Sequence, residues 1–376
     1  MSKGIRKIEM APPYRDEEGA EALRRVYFSG HYLNGPELKA FEKEFAEFMG
    51  AKHAVAVNSC TSAEQLALLA LGVGEGDEVL VPSHTAFPTI EPIIHVGASP
   101  IFVDIDDTYT INPEDLESKI TDKSKAVIPV HLYGHPANME RIQDICMEND
   151  LYLIEDCAQA HNAEYNRQKV GIFGDAACYS FFPSKNMTGG SDGGLVLTND
   201  DAVARQVRML RNHGREGRYD HELVGFNMRM SDMTAALLRL QLKHLDQFTE
   251  ARRNAAELYM KNLEGLPLVL PREAANARHV YHLFVVRTDD KDTREGLSLF
   301  LKDGSIDGLA VDNNVHYPIP THISIATRSR GFGGNPLPIT EEYVDRILSL
   351  PMHPAITEEE IGLVAGKIRR FYDQRG

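Results

Sequence analysis

The chain contains 376 residues, of which 43% are hydrophobic and 25% are charged, and its formal net charge is −15 at pH 7. This length is typical of two domains, and the composition is that of an ordinary globular protein. The negative charge argues against a nucleic-acid-binding surface but leaves room for local pockets that bind small anions.

The cysteines and the N-terminal residues predict a cytoplasmic protein. The first residues, MSKGIRKIEMAPPYRDEE, have no apolar core and no cleavage site, which argues against a signal peptide. No apolar run reaches the length needed to cross a bilayer, so no membrane partner is expected. Cysteines 60, 146, 157 and 178 form no C-x-x-C pair and no cluster with metal-ligand spacing. They predict free thiols and no metal site.

The N-terminal part predicts two amphipathic helices followed by a buried strand. The helices cover 16–28 and 36–49, with Pro36 at the first position of the second helix, where proline is favoured. The strand covers 54–57, and the polar segment 58–62 follows it.

This polar segment, Asn58-Ser-Cys-Thr-Ser62, turns into a helix predicted over 63–71. Ser62 and Gln65 fit a capping box. Amides and hydroxyls at a helix N-terminus are suited to binding a phosphate. An ordinary capped helix explains the same residues equally well at this point.

Strands and helices then alternate along the chain. The strand segments are apolar runs rather than alternating patterns, which indicates a mostly parallel sheet with helices on both faces. In such sheets a ligand binds beyond the carboxyl ends of the strands. The strands are predicted over 78–82, 100–104, 126–131, 151–156, 176–182 and 195–198, and the helices over 89–96, 137–149 and 200–213, with one more beginning near Asn112.

The pattern changes after a long helix predicted over 231–263, which carries the chain away from the sheet. The remaining segments mix one strand with three helices and predict a smaller α+β domain. We therefore expect a large domain over 1–249 and a small domain over 250–376. The later segments are a strand over 279–287 and helices over 293–303, 341–348 and 357–372.

Two candidate chemical groups follow strands of the predicted sheet. Asp156 ends one strand, where a carboxylate either caps the next helix or holds a heteroaromatic nitrogen in its protonated form. Lys185 comes shortly after the apolar strand 176–182 and before a glycine-rich turn. Burial lowers the pKa of an ammonium group, and Schiff-base chemistry needs a neutral amine. Taken alone, Lys185 also fits a surface lysine in a hairpin loop.

Together these features describe a site for pyridoxal 5'-phosphate. A phosphate-type helix start at Cys60 and Thr61, a strand-end Asp156, the hydroxyl of Ser180 and Lys185 all fall at the same edge of the predicted sheet. The lysine forms an imine, the carboxylate keeps the pyridine nitrogen charged, and the hydroxyls and amides hold the phosphate.

The chain also resembles the sugar aminotransferases of the DegT/DnrJ/StrS type, which have fold type I of the pyridoxal-phosphate enzymes. The resemblance extends from Tyr32 to Pro354, and it depends on the order and spacing of several motifs. These motifs are Asn58-Ser-Cys-Thr61, Gly74-Glu-Gly-Asp-Glu-Val79, Pro129-Val-His-Leu-Tyr-Gly134, Ile154-Glu-Asp-Cys-Ala-Gln-Ala-His161, Ser180-Phe-Phe-Pro-Ser-Lys-Asn186, Asp192-Gly-Gly194 and Arg211-Asn-His-Gly214.

The resemblance implies roles for individual residues. Lys185 matches the lysine that binds the cofactor covalently, and Asp156 matches the partner of its ring nitrogen. Gln159 matches a residue near the phenolic oxygen. The phosphate contacts are matched by Cys60, through its backbone, and by Thr61 and Ser180.

A second set of implied residues concerns the substrate and a neighbouring subunit. The loop from Gly225 to Arg229 matches one that enters the partner's site in a homodimer, where Asn227 completes the phosphate site and Arg229 faces an anionic substrate group. His316 and Tyr317 match a segment near the substrate. For Arg229 a surface ion pair, and for His316 a packed ring, explain the residue equally well.

One segment departs from the family pattern. Ala86 stands where many members carry an aromatic residue that stacks on the cofactor ring. His84 and Phe87 are the candidates to replace it, and a different cover for the ring is the alternative.

The resemblance implies an aminotransferase that moves an amino group from an amino acid, glutamate, to a ketosugar linked to a nucleotide. A cyclitol ketone is an alternative acceptor. A ketosugar dehydratase on the same scaffold is disfavoured, because that branch carries histidine at the position of Lys185. A cofactor-binding regulator without catalysis is disfavoured because no DNA-binding segment or basic patch is present.

Overall fold

A computed structural model describes residues 5–375 of the chain. Strands and helices alternate through most of its length. The strands are β1 (Arg6–Ile8), β2 (His53–Val57), β3 (Glu78–Pro82), β4 (Ser99–Val103), β5 (Ser124–Val127), β6 (Tyr152–Asp156), β7 (Glu164–Tyr165), β8 (Gln168–Lys169), β9 (Ala176–Ser180), β10 (Gly194–Thr198), β11 (Ala277–Arg278), β12 (Phe284–Arg287), β13 (Leu309–Val311) and β14 (Ile347–Leu350).

The helices are α1 (Glu17–Ser29), α2 (Pro36–Met49), α3 (Cys60–Ala70), α4 (Glu91–His95), α5 (Pro113–Ser118), α6 (Met139–Glu148), α7 (Asp201–Leu210), α8 (Asp232–Leu263), α9 (Lys291–Lys302), α10 (Ile325–Ser329), α11 (Pro338–Arg346) and α12 (Glu358–Asp373). They include one of 32 residues, α8, which packs against both α2 and α12. Short 3-10 turns cover 87–89, 132–134 and 321–323. Between residues 5 and 375 no helix has both the length and the apolarity required to cross a bilayer.

The central sheet has seven strands in the order β2-β10-β9-β6-β5-β3-β4. All neighbouring pairs are parallel except those that involve β10, which runs antiparallel to β2 and β9. The predicted mostly parallel α/β sheet is therefore confirmed. Gly194 at the start of β10 lies opposite both Val57 and Ser180. The ends of β2, β6 and β9 consequently meet at one edge of the sheet.

Apolar residues cover both faces of this sheet, as predicted. Because successive side chains of a strand point to opposite faces, neighbouring residues of β2 belong to different cores. Ala54 and Ala56 pack in a core that contains Phe41 and Phe45 of α2. Val55 and Val57 pack on the other face with α3 and α7.

The start of α3 differs from the prediction. The helix begins at Cys60 rather than at residue 63, and Ser59 rather than Ser62 is its N-cap. The Ser62 amide donates to Ser59 Oγ at 3.1 Å. Both serines are favourable caps, so the sequence did not distinguish them. Because Ser59 is extended, with φ −163° and ψ 162°, Cys60 and Thr61 form the first helical turn.

The C-terminal part differs from the prediction at one helix and two strands. The helix predicted over 341–348 ends at Arg346, and β14 follows it, antiparallel to β12. Ile347 and Leu348 are both buried but pack in different cores, which requires the side-chain alternation of a strand. The predicted strand over 279–287 is shorter and covers 284–287. In the central sheet, the strand predicted over 126–131 covers 124–127, and an isolated bridge joins Val130 to Asp156.

Candidate active site

A cavity of about 600 Å³ lies at the sheet edge where β6 and β9 end. Its wall contains most of the residues predicted from the sequence. These are Cys60, Thr61, Asp156, Gln159, Ser180, Lys185, His316 and Tyr317. Up to roughly 250 positions of the chain separate these residues. The topology of the sheet, through its connections between strands and helices, brings them together.

The first turn of α3 provides hydrogen-bond donors to the cavity. The amides of Cys60 and Thr61 belong to this turn, where the helix itself offers no acceptor. Ser180, at the end of β9, lies in the same wall. Gly194 packs so closely against this turn that an added Cβ would lie 2.2 Å from Ser59 O. A partly positive helix end, free amides and a hydroxyl form a suitable site for a phosphate group.

Asp156 is the last residue of β6, and it is buried. Its Oδ1 accepts a hydrogen bond from the Ala158 amide at 2.9 Å, and its Oδ2 accepts one from Thr89 Oγ1 at 3.0 Å. These two bonds fix the orientation of the carboxylate. A turn rather than the expected helix follows β6, so Asp156 is not a helix cap, and it lines the cavity.

Lys185 lies in a tight turn after β9, with its amide donating to Phe182 O at 2.8 Å. Burial lowers the pKa of the Lys185 ammonium group, while the nearby acidic groups of Asp156, Cys60 and Glu64 oppose this shift. A lower pKa increases the fraction of neutral amine at a given pH. Lys185 lies in the loop between the antiparallel strands β9 and β10 and is half-buried in the cavity wall. Its lowered pKa favours a nucleophilic amine.

Gln159 connects two parts of the cavity wall. Its Oε1 accepts from the Tyr133 amide at 2.7 Å, and its Nε2 donates to Tyr317 Oη at 3.0 Å. Burial raises the pKa of Tyr317 to about 12, so the phenol stays protonated near neutral pH. Burial lowers the pKa of His316 to about 4, so its imidazole is neutral, and its Nδ1 lies 2.9 Å from Ser349 Oγ.

Asn227 and Arg229 do not line the cavity of their own chain. The Arg229 guanidinium donates through Nε and an Nη to Asn227 Oδ1, at 3.1 and 2.6 Å. Arg229 also forms an isolated bridge with Val57, and Asn227 is exposed. The predicted surface ion pair of Arg229 is thus replaced by hydrogen bonds to a neutral amide.

The segment around Ala86 contains the two residues, His84 and Phe87, that were candidates to cover the cofactor ring. His84 is buried away from the cavity, with Nε2 2.7 Å from Tyr133 Oη, so it is the wrong candidate. Burial lowers the pKa of His84 to about 3. Ala86 and Phe87 do lie in the cavity wall, and Phe87 stays the candidate.

Sequence reasoning missed three polar residues of the cavity. Thr89 had been placed only in a helix, yet its hydroxyl orients Asp156. Asp192 was noted only as part of a motif, and Glu64 was not noted at all. Their contribution depends on how α3, α4 and the loop before β10 are oriented, for which the sequence pattern contains no signal.

The residues present fit pyridoxal 5'-phosphate. An amine with a lowered pKa, an oriented carboxylate and a phosphate-type helix end surround one cavity, and Gly194 leaves space beside the helix end that a side chain would fill. These are the three groups that the cofactor's aldehyde, ring nitrogen and phosphate require.

Comparisons with known proteins agree with this chemistry. The model of the DegT/DnrJ/EryC1/StrS aminotransferase family matches residues 13–369. The dTDP-3-amino-3,4,6-trideoxy-alpha-D-glucose transaminase of Streptomyces venezuelae is 40% identical over 355 residues, which cover 94% of this chain and 92% of the relative. The UDP-N-acetyl-3-dehydro-alpha-D-glucosamine 3-aminotransferase of Acidithiobacillus ferrooxidans is 40% identical over 362 residues, 95% of this chain and 94% of the relative.

A solved structure agrees at the level of the whole fold. NtdA from Bacillus subtilis, with its bound cofactor PMP, superposes with a TM-score of 0.91 at 28% identity, covering 99% of this chain and 87% of NtdA.

Proposed function

Since the chain belongs to the DegT/DnrJ/EryC1/StrS aminotransferase family, whose members depend on pyridoxal 5'-phosphate, we propose that it transfers an amino group from glutamate to a nucleotide-linked ketosugar. The relatives named above act on dTDP- and UDP-linked sugars, which supports this class of acceptor. The observation that carries the proposal is the position of Lys185, with its lowered pKa, in the same cavity as Asp156.

When bound, the cofactor supplies an aldehyde carbon and a ring that accepts electrons. Lys185 holds the cofactor through its Nζ until the donor amine replaces it. The free Nζ then removes the proton from Cα of glutamate in the first half-reaction. In the second half-reaction it delivers a proton to the former carbonyl carbon of the sugar. One lysine serves both steps because donor and acceptor occupy the same cavity in turn.

Asp156 and the first turn of α3 orient the cofactor for this proton transfer. Asp156 would keep the ring nitrogen protonated, and its own orientation is fixed by Thr89 and by the Ala158 amide. The amides of Cys60 and Thr61 and the hydroxyl of Ser180 would hold the phosphate. Gln159 would contact the phenolic oxygen, and its Nε2 donates to Tyr317 Oη on the proposed substrate side of the cavity.

The proposed chemistry is tested with purified protein and the variant Lys185→Ala. The wild type should change its absorbance on addition of glutamate and should aminate a member of a panel of nucleotide-linked ketosugars. The variant should lose both responses, because no other group in the cavity wall is placed to form the imine. Amination of a cyclitol ketone but of no sugar nucleotide would assign the acceptor to the alternative class.

The site residues Asn227 and Arg229 belong, in this proposal, to the active site of a partner subunit in a homodimer. Their position outside their own cavity supports this, since Asn227 is exposed and contacts Arg229 and Asn212 rather than residues of the cavity wall. There Asn227 would contact the phosphate and Arg229 an anionic group of the substrate. His316 and Tyr317 would face the sugar from the chain that binds the cofactor.

Hybrid dimers test this arrangement. Lys185→Ala and Asn227→Ala are each expected to lower activity strongly as homodimers. In a hybrid of the two, one site carries both changes and the other carries neither, so about half of the wild-type activity should return. If Asn227 instead serves the site of its own chain, each site of the hybrid carries one of the two changes. No site is then intact, and the hybrid shows no more than the mean activity of the two variant homodimers.

Two further features complete the proposal. The large domain covers 1–249 and the small domain 250–376, with α8 running through the boundary. The protein acts in the cytoplasm, where the free thiols of its four cysteines are stable. Cell fractionation with an antibody to the chain tests the location.

A further inference from the structure

Glu64 is a buried carboxyl group in the wall of the cavity. It lies one turn into α3 and is only 2% exposed. Its Oε2 has no hydrogen-bond partner among residues 5–375. Acidic side chains are almost never fully buried without a partner, so this position needs a physical explanation.

The surroundings of Glu64 are acidic. Oxygen atoms of Glu64 and Asp156 and the Cys60 sulfur all lie within 4.8 Å of one another. Cys60 Sγ is 4.0 Å from Glu64 Oε1. Two carboxylates this close in a buried site resist being ionised together. The charged or titratable groups facing Glu64 are Cys60, Glu91, Asp156, Cys178 and Lys185.

Asp156 and Glu64 differ in the hydrogen-bond donors that contact their carboxyl oxygens. Asp156 accepts hydrogen bonds from Thr89 and from the Ala158 amide. Glu64 has no such donors at Oε2. Burial, and next the charge of Asp156, raise the pKa of Glu64 well above its usual range, and only Lys185 acts in the opposite direction. Of the two acids, Glu64 is therefore the one whose surroundings favour the protonated form.

We propose that Glu64 is a positioning residue, a neutral acid that donates its proton in a hydrogen bond to the Asp156 carboxylate and so holds that carboxylate against the cofactor ring. The hydrogen bond withdraws part of the Asp156 charge, which tunes how strongly the ring nitrogen and the lysine-linked imine retain their protons. This inference rests on the proposed binding of the cofactor against Asp156.

The test uses the holoenzyme and the variants Glu64→Gln and Glu64→Leu. The readouts are the pH midpoint of the absorbance change of the lysine-bound cofactor and the cofactor's Kd, with thermal unfolding as a check of folding. A glutamine still donates to Asp156 without a charge, so its midpoint should agree with that of the wild type within about 0.3 pH unit. A leucine removes the donor and leaves the Asp156 charge undiminished. Its midpoint should rise by about one unit, and the Kd should rise by about tenfold.

Other outcomes overturn the proposal. If Glu64 were ionised, both variants would remove a negative charge and both midpoints would fall. If Glu64 only filled space, the leucine variant would match the wild type. An equal upward shift in both variants would contradict a donated hydrogen bond, because the glutamine amide keeps that donor. Borohydride labelling of Lys185 in the wild type separates these results from a failure of the proposed function, because it depends on the imine and not on Glu64.

Discussion

Gly194 is the position at which one added methyl group should disturb the phosphate site without touching a proposed binding side chain. In Gly194→Ala the new Cβ would lie 2.2 Å from the carbonyl carbon and oxygen of Ser59 and 2.5 Å from the Cys60 amide nitrogen. Ordinary contacts of a Cβ begin at 3.4 Å. Because these atoms are backbone atoms, the clash cannot be relieved by a change of rotamer.

The structure indicates which side must move. β10 is paired on both sides at Gly194, with Val57 and with Ser180, so the strand is held in place. The first turn of α3 must therefore shift by about 1 Å, at a strain of about 1–3 kcal/mol. A hydrogen bond to a charged group contributes about 1.5–3 kcal/mol, so the loss of one amide–phosphate bond predicts a 10- to 100-fold higher Kd for the cofactor, roughly.

The measurement is a titration of the apoprotein with pyridoxal 5'-phosphate, followed by absorbance. Gly193→Ala is the matched control, because its Cβ would meet only the side chains of Met230, Phe181 and Thr234, at 3.3–3.4 Å. Its Kd should stay within about threefold of the wild type. Equal Kd values for Gly194→Ala and the wild type would refute the assignment of the α3 N-terminus as the phosphate site.

Two further predictions concern stability. Glu155→Gln should destabilise the protein by about 2–4 kcal/mol, because the buried carboxylate accepts hydrogen bonds from three backbone amides and from His131 Nε2, whereas an amide nitrogen cannot accept. Denaturant unfolding measures this loss, with Glu164→Gln at a half-buried position as the control. Equal losses in the two variants would contradict the prediction. Burial lowers the pKa values of His84 and His161 to about 3, whereas a histidine in the unfolded chain titrates near 6.5. Between these two pH values the unfolded chain binds more protons than the folded one, so stability falls as the pH drops below about 6.5. Each histidine should lower the unfolding free energy by about 1.4 kcal/mol at pH 5.5 relative to pH 7.5, and glutamine at both positions should flatten this dependence; an unchanged slope would contradict the assignment.

The sequence predicted the central sheet well because its strands are short apolar runs that end at clear breaks. β3 has the predicted bounds, 78–82, and ends at Pro82. The two-residue strands β7 and β8 were missed because they depend on tertiary pairing and carry no periodicity. The first two residues of β14, 347 and 348, were predicted as the end of a helix because a short apolar run fits either structure, and the pairing of β14 with β12 decided between them.

The residues of the cavity were likewise predicted only in part. Lys185 and Asp156 were found because each follows an apolar strand and because the motifs around them are specific. Glu64 was missed because a glutamate in a helix is ordinary in sequence, and only the packing of α3 against β6 and β9 shows that it is buried beside Asp156. Asn227 and Arg229 cannot be placed by a single chain, since their predicted contacts lie in another subunit.

The most direct test of the proposed active site is reduction of the purified holoenzyme with borohydride, followed by peptide mapping. Reduction fixes an imine between the cofactor and a lysine as a stable amine. We expect the peptide that contains Lys185 to carry the pyridoxyl group, and we expect no other lysine to be labelled stoichiometrically. An unmodified Lys185, or stoichiometric labelling at a different lysine, would contradict the central claim.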